Sequence, residues 1–276
     1  MFLRSNLRMA GIEDTGGFAS GTYVAAWRGS DVVAAGAHFW NGNLIVDCPV
    51  ALAEVGRLAL DTSSRDLAGI LGPWEQAVAA RQILGFERRA AEIESREDLF
   101  SLNLARLRVP DLLAKGAVRG RLAREEEIEE PLADWRVAFE VETLGATPSE
   151  ERRRRAVETL TNGWQTDRVF VLEEEGRLVS TSSFNAALPD CVQVGGVFTP
   201  PELRGRGFAR SAVAGSLLDA RNHGVSRSIL FTGAEHESAQ ACYRALGYEV
   251  VGTYGMLLFA PTGRVSASAR SIRGIR

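Results

Sequence analysis

The sequence predicts an α/β protein of two lobes, each a mixed, mostly antiparallel sheet flanked by helices. Strand-like and helical runs alternate along the chain, and three strands precede a helix in each half. A helix ending in Leu-Gly-aromatic also occurs twice: GPWEQAVAARQILGF closes at Phe86 and AEHESAQACYRALGY at Tyr248. Laid side by side, the two segments put Gly85 on Gly247, Ala77 on Ala239 and Arg81 on Tyr243. At 276 residues the chain is long enough for two domains that each bury a core.

Residues up to Gly17 read as a short helix or coil. GTYVAAWRGSDVVAAGAHFWNGNLIVDCP then reads as three strands, with turns at Arg28-Gly29-Ser30-Asp31 and at Asn41-Gly42-Asn43, since Asn-Gly supplies the positive φ of a tight hairpin. Leu52, Val55, Leu58 and Ala59 recur at helical spacing between Val50 and Leu60. Leu67 to Leu71 is a short strand, Pro73 to Leu84 a helix closed by Gly85, and Leu99 to Val109 a last strand before Pro110. This sets a first lobe at 1–112, a second at 113–262 and a tail at 263–276.

The second lobe opens with GAVRGRLAR as a strand. From Glu125 to Leu144 a single long helix is expected, with Ile128, Leu132, Trp135 and Phe139 on one stripe. Ser149 heads a further helix as its cap, ending near Gly163. The strands RVFVLEE, LVSTSSFNAAL and CVQVGGVF follow and lead into TPPELRGRGFARSAVAGSLLDA, which reads as a glycine loop and then a helix. Gly205 and Gly207 allow a tight turn and close backbone approach, and the unpaired N–H groups of the first helical turn point forward from it. An anion belongs there.

The net charge of −3 gives no global field for nucleic acid or an anionic membrane. Glu151-Arg152-Arg153-Arg154-Arg155 is the dense basic stretch; on a helix its residues point in different directions, as a solvated face does. Lys115 is the single lysine, an arginine bias expected of a GC-rich bacterial genome. Cys48, Cys191 and Cys242 stand far apart, with only three histidines in the chain, so no metal site is legible. MFLRSNLRMAGIEDTGG is broken by charge and glycine and resembles neither a leader nor a span, so a cytoplasmic protein is expected.

Arg204-Gly205-Arg206-Gly207-Phe208-Ala209 matches the pattern Arg/Gln-x-x-Gly-x-Gly/Ala, and with the strand, helix and Leu-Gly-Tyr ending that follow, the chain resembles the GNAT superfamily of N-acetyltransferases. The resemblance covers roughly residues 117–260 well and 18–109 weakly. It implies acetyl-coenzyme A as co-substrate. The pyrophosphate would rest on the backbone amides of Arg206 to Arg210, including Ala209, with Arg204 and Arg206 either touching phosphate or solvated. Phe198 and Thr199 occupy the strand positions that pair with the pantetheine arm.

By the same resemblance Tyr243 is the general acid for the departing thiolate; the alternative is a packing tyrosine beside Ala239, Cys242 and Leu246. His236 stands where the family often has asparagine, and serves as a similar contact, as a base, or as an exposed helix-terminal residue. No general base is assigned: Gln193 is the polar residue of the strand before the loop, and Glu142 and Glu173 read equally as solvated charges. Cys48-Pro49-Val50-Ala51 replaces the glycine loop in the first copy, and Arg81 replaces the tyrosine, so that lobe is expected to be structural or to shape the acceptor site. The expected activity is acetyl transfer to a primary amine, with a small molecule favoured over a protein. A coenzyme-binding module without turnover is the alternative.

Overall fold

The computed structural model describes residues 1–260; the expected tail at 263–276 lies outside the described residues. The chain forms two compact units, and each draws on both ends of the sequence. Among the described residues the first comprises Ile12–Ser95 and the segment 255–260, the second Met1–Gly11 and Arg96–Tyr254. The opening helix α1 (Phe2–Ala10) therefore belongs to the second unit.

In the first unit β1 (Gly21–Arg28), β2 (Asp31–Phe39) and β3 (Asn43–Asp47) form an antiparallel meander. The Asn-Gly turn needs its glycine: Gly42 has φ +76°, and a Cβ there would fall 2.6 Å from the Asp66 carbonyl oxygen. Helix α2 (Leu52–Ser63) leads to β4 (Gly69–Pro73), parallel to β3, and then to α3 (Trp74–Ile83). The later part of β11 (Glu249–Phe259) lies beside β4. Leu44, Val46, Ile70 and Leu257 of the sheet bury against Val55, Ala59 and Ala77 of the two helices.

The second unit repeats this order, with a longer strand and helix at its centre: eight residues in Cys191–Phe198 against five in β3, and 15 in Phe208–Asn222 against 12 in α2. Strands β6 (Arg119–Leu122), β7 (Val169–Glu174), β8 (Arg177–Ala187) and β9 (Cys191–Phe198) run antiparallel to their neighbours. Helix α8 (Phe208–Asn222) then leads to β10 (Arg227–Gly233), parallel to β9, and to α9 (Glu237–Leu246). The later part of β5 (Ala91–Asn103) pairs antiparallel with β10, from Glu97 opposite Gly233 to Asn103 opposite Arg227. Helix α8 sinks Val213, Ala214 and Leu217 into a core with Phe100, Phe184 and Leu230. Burial of each large apolar side chain there contributes about 1.5–3 kcal/mol.

Several boundaries differ from the sequence expectation, each for a local reason. The long helix expected from Glu125 is broken: α5 (Glu125–Glu127) and α6 (Ala133–Leu144) flank Ile128–Leu132, where Glu130 is extended at φ −143°, ψ 127°. Pro131 has no N–H to give a helix and disfavours helical geometry in the residue before it. Strand β5 starts eight residues before the expected Leu99 and stops at Asn103, whose side chain accepts the Ala105 N–H and turns the chain. After the short α4 (Asp111–Ala114), the expected Ser149 cap is present: Ser149 Oγ accepts the Arg152 N–H at 3.2 Å at the start of α7 (Glu150–Trp164). The arginines of that helix are each ion-paired, Arg152 with Glu140, Arg153 with Asp134, and Arg154 and Arg155 with Glu151.

His38 is fully buried in the first unit, its Nδ1 2.5 Å from Ser63 Oγ and its Nε2 3.1 Å from the Gly42 carbonyl oxygen. Burial disfavours the imidazolium and lowers its pKa. The unfolded chain then takes up the proton first, so stability is full above the ordinary histidine value and declines as pH falls below about 6.5. The melting temperature should drop between pH 7 and pH 5 in the wild type and less steeply in His38→Gln. Parallel profiles would remove His38 as the cause.

Candidate active site

Strands β9 and β10 pair only over their first residues, Cys191 with Arg227, Val192 with Ser228 and Gln193 with Ile229. Beyond Gln193 the pairing stops, so the rest of β9 presents backbone polar groups toward β10 without the sheet partner that parallel strands usually give each other. On its other edge β9 stays paired with β8, with Thr181 opposite Phe198 and Ser183 opposite Gly195. Three steps on β9 therefore span two on β8. The extra residue is a bulge at Gly196, held at φ +59°. Two adjacent glycines inside an apolar strand were the signal for this bulge in the sequence.

Phe198 and Thr199 close β9 and are both buried; the Phe198 carbonyl accepts Ser180 Oγ–H at 2.8 Å. The chain then turns through Pro201–Leu203 to Gly205 at φ +78° and Gly207 at φ +82°, the latter at the N-cap of α8 with no side-chain cap. Among the described residues no backbone N–H from Gly205 to Arg210 meets a protein acceptor. Phe208 is buried and pins the helix start, whereas Ala209 is half-buried and Arg210 exposed. A row of free donors at the positive end of a 15-residue helix can receive a multiply charged anion.

The loop arginines are both held by carboxylates. Arg204 donates from Nη2 to both oxygens of Glu142 at 3.0 and 2.7 Å, and from Nε to the Thr199 carbonyl at 2.9 Å. Arg206 donates to both oxygens of Glu174 at 2.9 and 2.8 Å and lies over the Phe208 ring. Glu142 is thereby committed to Arg204. Glu173 is bound by Arg121 at 2.6 Å, and that contact lowers its pKa. Gln193 is buried, donates Nε2–H to the Val194 carbonyl at 2.8 Å, and has no basic group to offer.

Tyr243 is half-buried on α9, with its ring 6.1 Å from Phe100 and 6.0 Å from Tyr248. Its hydroxyl has no hydrogen bond among the described residues. Burial raises its pKa, so it is a protonated donor throughout the working range. His236 occupies the N-cap of the same helix, with Nε2 3.3 Å from Glu235 Oε1 and a side chain 42% exposed. Among the described residues no cluster of three or more metal-ligating side chains is present, and no helix is long and apolar enough to cross a membrane.

The corresponding region of the first unit is closed. Strands β3 and β4 pair from Asn43 opposite Gly69 to Ile45 opposite Leu71, and stay together beyond: a Cβ on Gly72 would fall 2.5 Å from the Val46 carbonyl oxygen. The Cys48 N–H, first after β3, is already taken by Gln76 Oε1 at 2.5 Å. Arg81 serves the turn after α3, with Nη1 on Glu94 at 2.7 Å and Nη2 on the Arg89 carbonyl at 3.0 Å.

A strand that parts from its parallel neighbour, followed by a glycine turn and an uncapped helix, offers a place that an anionic group can occupy. Residues 132–248 match the model of the acetyltransferase (GNAT) family. Solved structures agree in fold at low identity. A GNAT-family acetyltransferase from Colwellia psychrerythraea is 14% identical over 93% of this chain and 97% of its own, with a TM-score of 0.52. A GCN5-related N-acetyltransferase from Kribbella flavida is 18% identical over 94% and 93%, with a TM-score of 0.56. A Drosophila protein is 12% identical over 94% and 86%, with a TM-score of 0.61. No curated protein matches the sequence.

Calorimetric titration should give one acetyl-coenzyme A site per chain. Gly207→Glu should abolish it, because the new carboxylate stands against the incoming phosphates and strains a left-handed position. Two sites, or unchanged affinity in the variant, would refute the loop assignment. Arg81→Ala should lower the melting temperature, since it strips donors from the turn after α3, while changing coenzyme affinity less than about threefold. A tenfold loss of affinity would show that the first unit touches the coenzyme.

Proposed function

We propose that the second unit transfers the acetyl group of acetyl-coenzyme A to a primary amine of a small molecule. The observation that carries this reading is the run of unpartnered amides from Gly205 to Arg210 placed directly after a strand that has left its neighbour. Phosphates fit the first feature, and an extended amide-bearing arm fits the second, pairing with β9 as an added strand would.

The amine nitrogen attacks the thioester carbonyl carbon, the carbon–sulfur bond breaks, and the thiolate takes a proton while the new amide nitrogen loses one to water. The residue proposed to give the thiolate its proton is Tyr243. Its burial keeps the phenol intact until charge develops on sulfur, and its hydroxyl has no competing acceptor among the described residues. Glu142 and Glu173 are occupied by arginines, so the reading uses no strong base. An α-amine with a pKa near 8 supplies a sufficient neutral fraction at pH 7.

Release of free thiol from acetyl-coenzyme A in the presence of a panel of primary amines tests the activity directly, and its absence with every amine would leave a coenzyme-binding module. Tyr243→Phe keeps the ring that packs on Phe100 and Tyr248 and removes only the donor. On an accepted amine its kcat should fall on the order of 10²-fold, with coenzyme affinity and melting temperature close to wild type. Normal turnover would assign Tyr243 to packing alone.

A further inference from the structure

The face of the second unit opposite α8 carries a charge that coenzyme binding leaves unexplained. Arg136, on α6, lies directly over the β9 bulge: a Cβ on Gly196 would meet its Nη1 at 3.2 Å and Ser183 Oγ at 3.7 Å. The bulge glycine therefore makes room for a guanidinium. Along β9 this is the point where pairing with β10 has already ended, and it precedes the glycine loop by nine residues (Gly205 less Gly196). The cation thus stands apart from the phosphate donors and beside the open stretch of the strand.

Arg136 is only partly neutralised. Its Nε donates to Glu140 Oε1 at 2.9 Å, while Arg152 holds the other oxygen of the same carboxylate at 2.8 Å. Two guanidiniums share one carboxylate and one positive charge is left over. The Arg136 side chain is about one-quarter exposed and rests on the Phe139 ring at 5.5 Å. The crevice beside it, walled by Trp135, Phe139, Leu160 and Phe198, is narrow, about 10 Å³, room for about one water molecule, so only the guanidinium itself offers a contact there. A planar cation with free donors beside the open stretch of the strand matches a carboxylate.

We infer that the acceptor is an amino acid or a close analogue, with its carboxylate on Arg136. This rests on the acetyl-transfer reading and narrows its substrate. The arrangement also bears on the absent base. A guanidinium held near the amine disfavours the ammonium form, which raises the fraction of neutral nucleophile without any group to take the proton.

Thiol release measured with phenylalanine, phenylalaninamide and phenethylamine separates the claims, because these acceptors share the apolar body and differ in the carboxylate. In the wild type phenylalanine should exceed both others in kcat/KM, compared per neutral amine, by about tenfold or more, mainly through KM, and the amide, equally uncharged at that position, should on the same basis resemble phenethylamine. In Arg136→Gln the ratio of phenylalanine to phenethylamine should fall to about one, with Arg136→Lys in between because the planar fork is lost. Turnover of all three at similar kcat/KM in the wild type overturns the inference and leaves acetyl transfer standing, and it does so even if the variants fail to fold. A preference that survives in Arg136→Gln likewise overturns it. No thiol release with any of a wide amine panel overturns the transfer reading and this assignment together.

Discussion

The second unit depends on a hydrogen-bond ladder that stops. Parallel strands normally satisfy each other's backbone groups along their shared length, and leaving those groups unpaired in a dry interior costs on the order of 1–3 kcal/mol each. Strand β9 keeps only three register pairs with β10, at Cys191, Val192 and Gln193. The remainder is tolerable because β8 secures the other edge, through a ladder bent by the Gly196 bulge, and because α8 seals one face with Val213 and Leu217. The polar edge so exposed can be satisfied by an extended ligand carrying its own amides. Fold and proposed chemistry thus meet in one geometric decision.

The first unit has the same order of elements and made the opposite decision. Its β3 is shorter, five residues against eight for β9, and carries no glycine pair to bulge on. Gly72 lets β4 press onto the Val46 carbonyl, and Gln76 consumes the amide that would begin a phosphate loop. Arg81, in the position that Tyr243 holds in the other copy, is spent on backbone carbonyls and on Glu94. Each substitution moves polar groups from ligand-facing to self-satisfied. A unit with its hydrogen bonds closed on itself gains stability at the cost of a site.

Much of this was legible in the residues. Local signals with a single physical meaning read correctly: the positive-φ glycines at 42, 85, 205, 207 and 247, the Ser149 cap, and the strand-loop-helix succession at Phe198 to Ala220. Elements governed by distant partners did not. The charged run from Ala91 to Asp98 hides the first half of β5, which precedes the residues paired with β10; its sheet neighbour β11 lies more than a hundred residues on, and no periodicity within the run reveals that pairing. Pro131 inside a good amphipathic stripe was a stop signal that the stripe outweighed in the reading and not in the fold. The role of Arg136 was out of reach, since nothing in a helix sequence says which strand glycine it will cover.

The loop arginines bear on how the phosphate site gains its strength. Arg204 and Arg206 are about half exposed, and exposed ion pairs like those with Glu142 and Glu174 are worth roughly 0–1 kcal/mol. Such pairs hold the loop in shape and already occupy the guanidiniums, so an arriving phosphate would have to displace a carboxylate to reach them. The carboxylates left behind would then repel the phosphates, so the net gain from each exchange is small. Binding must come chiefly from the fixed donors of Gly205 to Arg210, which cannot rotate away and have no partner to surrender. On this argument the two glycines matter more than the two arginines with which they alternate: they aim the backbone, and the backbone holds the anion.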